Sequence, residues 1–240
     1  MSVTDLSQYK TFVPCRTKDN QTIVVNTQDQ YIGRSIMNQG EWEPHVRNAL
    51  KHLIKPEHVV MDIGANIGTH TLLMAKLAKH VIAFEPCSIN HNILFMNCMV
   101  NQIYNVEIRK EGVGGEKGQM FIESRWSETG REDNYGCITL REKASDEKDV
   151  AIDIITIDSL NLQQLDVVKI DAEGMEDQII GKGMIETIKR CKPKMIVEIH
   201  ETDVKKMQPI LDSIEYSLLY IGNIDFIAVH KSEVDQFVKK

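Results

Sequence analysis

Residues 58–85 read HVVMDIGANIGTHTLLMAKLAKHVIAFE, and their pattern decides the fold. His58 to Ile63 is a short apolar, β-branched run of the kind buried on both faces of a parallel sheet. Gly64 and Gly68 bracket a turn. Thr69 to Lys79 then spaces Leu72, Leu73, Met74, Ala75, Leu77 and Ala78 so that an apolar helix face can lie on the sheet, with Lys76 and Lys79 left to water. Val81 to Phe84 is the next buried strand, and it ends on Glu85. This βαβ unit predicts an α/β protein built on a mainly parallel sheet.

Such a turn suits a nucleotide cofactor, because small residues let backbone N–H groups approach a ligand and an acid ending the next strand can accept both hydroxyls of a ribose. A dinucleotide fingerprint needs G-x-G-x-x-G around a pyrophosphate. Here Asp62 precedes the first glycine and Asn66 stands where the second would be, and a carboxylate there repels phosphates. S-adenosylmethionine has no phosphate and carries an ammonium and a sulfonium, so it fits on charge. The plain alternative is a crossover whose glycines only make turns.

The 240 residues, 42% hydrophobic and 26% charged, fit one domain with a substantial core. A net charge of −7 disfavours a protein that tracks a nucleic-acid backbone. Five scattered cysteines without C-x-x-C pairs suggest reduced thiols. MSVTDLSQYK is unlike a signal sequence, and no apolar run reaches membrane-span length, so a soluble cytoplasmic protein is expected.

Working outward, residues 1–34 are predicted to carry an N-terminal hairpin, with strands at Tyr9–Cys15 and Thr22–Asn26, and residues 35–240 to form the main domain. A helical pattern runs from Ser35 to Lys55-Pro56. Trp42 and Glu43 border the cofactor pocket in one reading and anchor the surface in another. A further helix starts near Ser88 or Asn90, and Asn90, Asn92, Asn97 and Asn101 read as cap and turn residues. Val106 to Arg109 makes a strand, after which Gly112-Val113 is either an adenine contact or a simple turn.

Residues 118–158 break the alternation of strand and helix, with strands predicted at Met120–Glu123, Cys137–Leu140 and Ala151–Ile157. The loop bearing Trp126, Arg131, Asn134 and Tyr135 is where substrate selectivity is expected. Then Val167, Val168 and Ile170 form a buried strand with Lys169, Asp171 and Glu173 at its C-terminal end, where open α/β sheets bind ligands; a salt-bridged strand end with Glu176 capping is the alternative. Lys194–Ile199 brings Glu198, His200 and Glu201 to the same rim. Tyr216–Ile221 and Phe226–His230 read as a terminal hairpin that adds an antiparallel strand.

Asp62-Ile63-Gly64-Ala65-Asn66-Ile67-Gly68-Thr69-His70, Phe84-Glu85-Pro86 and Val168-Lys169-Ile170-Asp171-Ala172-Glu173-Gly174-Met175-Glu176 together resemble the FkbM family of S-adenosylmethionine-dependent methyltransferases. The resemblance implies a class I methyltransferase, Rossmann-like seven-stranded sheet, mostly parallel with an antiparallel last strand and helices on both faces. It implies that Asp62, Gly64, Ala65, Asn66, Gly68 and Thr69 surround the methionine moiety. Glu85, with Pro86 beside it, would hold the ribose, and Gly112 and Val113 would flank the adenine. It also implies O-methylation of a sugar, glycan or small natural product.

For catalysis, Asp171 or His200 is the expected general base, with Lys169 stabilising alkoxide charge and Glu173 orienting one of them. A magnesium ion on Asp171, Glu173 and Glu198 is the less favoured version. Three other readings stand beside this one: an RNA 2′-O-methyltransferase, a nucleotide-dependent oxidoreductase, and a non-catalytic binding module of the same fold.

Overall fold

A computed structural model of the protein describes residues 11–127, 134 and 136–235. Tyr9 and Lys10 of the predicted first strand, and Arg131 and Tyr135 of the predicted selectivity loop, lie outside them.

A hairpin of β1 (Phe12–Arg16) and β2 (Thr22–Asn26) opens the described chain, followed by α1 (Ile32–Gln39) and α2 (Pro44–Leu53). The single helix predicted from Ser35 is therefore two. Gly40 adopts the left-handed conformation at φ 71°, and Pro44 starts the second helix at a position where its missing N–H costs nothing.

The βαβ unit follows as β3 (Val59–Ile63), α3 (Thr71–Leu77) and β4 (His80–Phe84), then α4 (Ser88–Val100) and β5 (Val106–Arg109). A small sheet holds β6 (Gly112–Val113), β7 (Gly118–Ile122) and β8 (Val150–Ile155) in the order β6-β8-β7. Next come β9 (Val167–Ile170), the short α5 (Glu176–Gln178), a π-helical turn over Ile179–Gly183, and α6 (Ile185–Cys191). The described chain then runs through β10 (Lys194–Glu198), α7 (Val204–Ser213), β11 (Tyr216–Gly222) and β12 (Asp225–His230).

The main sheet has seven strands in the order β11-β12-β10-β9-β3-β4-β5. Strands β3, β4, β5, β9 and β10 are parallel, and β12 runs antiparallel to both β10 and β11. Alternating residues of each central strand feed two cores. Val60, Val81, Val167 and Ile196 meet the helices α1 to α4. Met61, Ile82, Val168 and Met195 meet the π-turn, α6 and α7 on the other face. This is the α/β architecture that the resemblance implies.

Two local expectations need correction. Cys137–Leu140 is not a strand: pairing beside it is limited to an isolated bridge between Phe121, on the free edge of β7, and Arg141. Asn97 is not a cap or turn residue but a bracket within α4, and Asn101, which does cap the end of that helix, is a bracket as well. The Asn97 amide accepts from Val24 N–H at 2.7 Å and Asn101 does the same for Thr22 at 2.9 Å, so α4 holds the edge of β2.

Candidate active site

The chain leaves β3 in one direction to build β4 and β5 and returns to place β9 and β10 on its other side. A crevice opens at such a reversal, outside the carboxyl ends of the strands. Here it is a cavity of about 1080 Å³, open solvent at its mouth included.

At its floor, Gly64 and Ala65 donate their N–H groups to Phe84 O at 3.1 and 2.9 Å, which curls the turn back over β4. Gly64 lies at φ 78°, and a Cβ there would stand 1.8 Å from the Asp171 carbonyl oxygen. Only glycine lets these two strand ends touch. Asn66 also sits in the left-handed region, at φ 51°, and turns its N–H onto Glu85 Oε2 at 2.8 Å. Cys87 N–H donates to Oε1 of the same carboxylate at 2.8 Å. Glu85 is 6% exposed; burial pushes its pKa up to about 7, against the pull of the two N–H groups.

The other end of the cavity is built by charges. Lys169 is 4% exposed and donates to Asp171 Oδ2 at 2.9 Å, with Asp62 Oδ1 at 4.0 Å. Burial opposes its charge, but Asp171, Asp62 and Glu43 outweigh burial and raise its pKa. Asp171 is likewise held ionised: burial raises it, and Lys169 with a hydrogen bond from Glu198 carries it below its ordinary value. Glu198 is pushed up to about 9 by burial and by that bond to Asp171, so it is the protonated, donating partner. Glu173, at φ 52°, is raised to about 7 by burial and by Asp171 and Glu176. Glu176 caps the turn beneath it, accepting from Ala172 N–H at 2.8 Å and Gly174 N–H at 3.1 Å.

Of the predicted residues, Gly64, Ala65, Asn66, Thr69, Glu85, Pro86, Gly112, Val113, Lys169, Asp171 and Glu173 line this one cavity. Asp62 and Gly68 do not. Asp62 is 1% exposed and accepts from Thr71 Oγ1 at 2.6 Å beneath the turn, and a Cβ on Gly68 would meet Leu94 at 2.5 Å. His200 also stands apart: it is exposed, and its carbonyl accepts from Asp203 and Val204 N–H groups as the chain turns into α7. Trp42 and Glu43 take the pocket-bordering side of their two readings.

Several lining residues had no assigned role in the sequence. His70 closes the quoted turn motif, and its Nε2 lies 2.9 Å from Glu43 Oε2. Tyr31 and Ile32 come from the start of α1, while Ile138 and Leu140 come from the stretch expected to be a strand. Cys137 reaches Glu173 with a hydrogen bond, and burial and the surrounding carboxylates push its thiol up to about 11. No sequence pattern marks that contact. Among the described residues, no group of three or more His, Cys, Asp or Glu side chains is arranged to hold a metal ion, and no helix is long and apolar enough to cross a membrane.

Comparison with known proteins adds a family. Residues 62–227 match the model of the methyltransferase FkbM domain. A probable ribosomal RNA small subunit methyltransferase A from Methanosphaera stadtmanae is 43% identical over 58 residues, which are 24% of this chain and 21% of that protein. Among solved structures, methyltransferase FkbM from Methylobacillus flagellatus KT superposes with a TM-score of 0.49 at 17% identity, over 76% of this chain and 49% of that one. Trm5b from Pyrococcus abyssi gives 0.49 at 12% identity, over 91% and 55%. The Streptococcus mutans protein SMU.1697c, in complex with SAH, gives 0.42 at 10% identity, over 76% and 93%. The chain thus spans about half the length of the FkbM structure and about a fifth of the curated relative.

Proposed function

The chain belongs to the FkbM methyltransferase family, and from that premise we propose that it transfers a methyl group from S-adenosylmethionine to a hydroxyl of a sugar, a glycan or a small natural product. The observation that carries this reading is a single cavity with a ribose-type carboxylate at one end, Glu85, and the Lys169, Asp171, Glu173 and Glu198 cluster at the other.

The lining fits the donor chemically. Its carboxylates suit a molecule with two cationic centres and no phosphate, and the glycine contact at Gly64 leaves the backbone at the strand ends bare of side chain. Glu85 would hold the ribose, Gly112 and Val113 the adenine, and Gly64 to Thr69 the methionine part. When bound, the donor supplies an electrophilic methyl on a good leaving group. What remains for the protein is to align the acceptor, exclude water and take up one proton.

Glu173 is the proposed proton acceptor. It lines the cavity, and its pKa of about 7 matches a base working near neutrality. Asp171 is engaged on both sides, by Lys169 and by the Glu198 proton, and acts by fixing the charge pattern. Lys169 is its counter-charge. The same ammonium fills the place beside Asp171 that a magnesium ion would need, which supports the metal-free version. Tyr31 and Trp42 offer flat apolar faces at the wall, a surface that suits the ring of a sugar.

The test is release of S-adenosylhomocysteine with a panel of acceptors: sugars and hydroxylated small molecules, matched amines, and RNA. Turnover with hydroxyl acceptors supports the reading. Turnover with amines or RNA alone replaces the acceptor class, and absence of S-adenosylhomocysteine binding removes the cofactor.

A further inference from the structure

Glu43 occupies the position before α2 from which an acidic side chain ordinarily caps a helix, yet it makes no capping hydrogen bond. Its backbone is left-handed, at φ 46° and ψ 69°, a conformation uncommon for a residue with a side chain. The carboxylate instead turns into the cavity, where Oε2 meets His70 Nε2 at 2.9 Å. His70 is 4% exposed, and its Nδ1 has no hydrogen-bond partner among the described residues. The bond to Glu43 is what fixes the ring.

Burial works against the charge of Glu43, but the His70 hydrogen bond and the charges of His70 and Lys169 carry its pKa below the ordinary value. A carboxylate therefore faces the cavity beside His70, at the end where it feels the charges of Lys169 and Asp171. That is the end to which the proposed donor directs its amino acid tail, and the tail carries an ammonium. An ionised carboxylate fixed by a buried partner is the complement of such a group.

We propose that Glu43, held in place by His70, binds the ammonium of the donor's amino acid tail, so that a residue from before the family-matched segment completes the donor site. This rests on reading the cavity as a S-adenosylmethionine site.

Calorimetric titration of two ligands tests it: S-adenosylhomocysteine, which has the tail, and 5′-methylthioadenosine, which lacks it. Glu43→Gln keeps the shape and the oxygen that accepts from His70 and removes only the charge. It is expected to weaken S-adenosylhomocysteine by about tenfold or more while 5′-methylthioadenosine stays within about twofold of the unaltered protein. Unchanged S-adenosylhomocysteine affinity overturns the assignment. Equal loss of both ligands also overturns it, since that is the mark of a brace between α2 and α3. If Glu43→Gln does not fold, Glu43→Asp, which withdraws the charge by one methylene, carries the same comparison with the same outcomes. Failure of the unaltered protein to bind either nucleoside overturns the cofactor reading, and this assignment with it.

Discussion

Glu85 and Asp171 end strands on either side of β3, and both carboxylates reach the same cavity, but they are kept there by different means. Glu85 is held by two backbone N–H groups, from Asn66 and Cys87, with no cation hydrogen-bonded to it among the described residues. Asp171 is held by Lys169 and by the proton of Glu198. Backbone donors remain when a side chain is replaced; a buried countercharge does not. The proposed nucleoside end should therefore lose affinity when altered, and the proposed reactive end should lose the fold or the rate.

The largest effect separating the two ends is expected at Lys169. Lys169→Met leaves the carboxylates of Asp171, Asp62 and Glu43 without their shared cation, and urea unfolding should show a loss of about 3–5 kcal/mol. A loss no greater than that of Glu85→Ala would mean that the two ends are built alike. Next comes Glu173→Gln, for which kcat should fall about 10²–10³-fold with S-adenosylhomocysteine binding retained. An undiminished kcat would return the proton to Asp171.

Glu85→Ala removes the proposed ribose acceptor and should weaken S-adenosylhomocysteine by about 10–100-fold in calorimetry, with cooperative unfolding preserved. The two ends should differ least in the pH dependence of stability, to which both contribute. Glu85, Glu173 and Glu198 all have folded pKa values above the ordinary 4.5, so the folded chain keeps protons that the unfolded chain releases. The stability they lend is full below 4.5 and is lost as pH rises through about 7 for Glu85 and Glu173 and about 9 for Glu198. Thermal unfolding without ligand should accordingly shift to lower temperature across that window, and Glu198→Gln should flatten the upper part of the decline. A Tm that rises with pH there would contradict the assigned proton on Glu198.

Much of this was legible in the chain because it was local. The run from His58 to Glu85 carries its own period and its own glycines, and Lys169, Asp171 and Glu173 announce a strand end by charge among apolar neighbours. The terminal hairpin was marked by Gly222-Asn223. What was not legible depends on distant partners. Asn97 reads as a turn residue because its partner Val24 lies 73 residues away on β2, and the second role of the capping Asn101, at Thr22, lies 79 residues away. His200 follows a sheet strand as Asp171 does, but the start of α7 draws its backbone outward. Gly40, by contrast, is a break visible in the helical pattern from Ser35, and it is where the pattern divides.

At Gly64 the main chain of the turn after β3 lies against the main chain after β9, with no side chain between. The proposed seat of the methyl group and the post that bears Asp171 and Glu173 are thus one casting, whose spacing no rotamer can retune. New acceptors would have to be admitted by recarving Tyr31, Trp42, Ile138 or Leu140, while any bulk added at position 64 would spread the jaws and misalign every substrate alike.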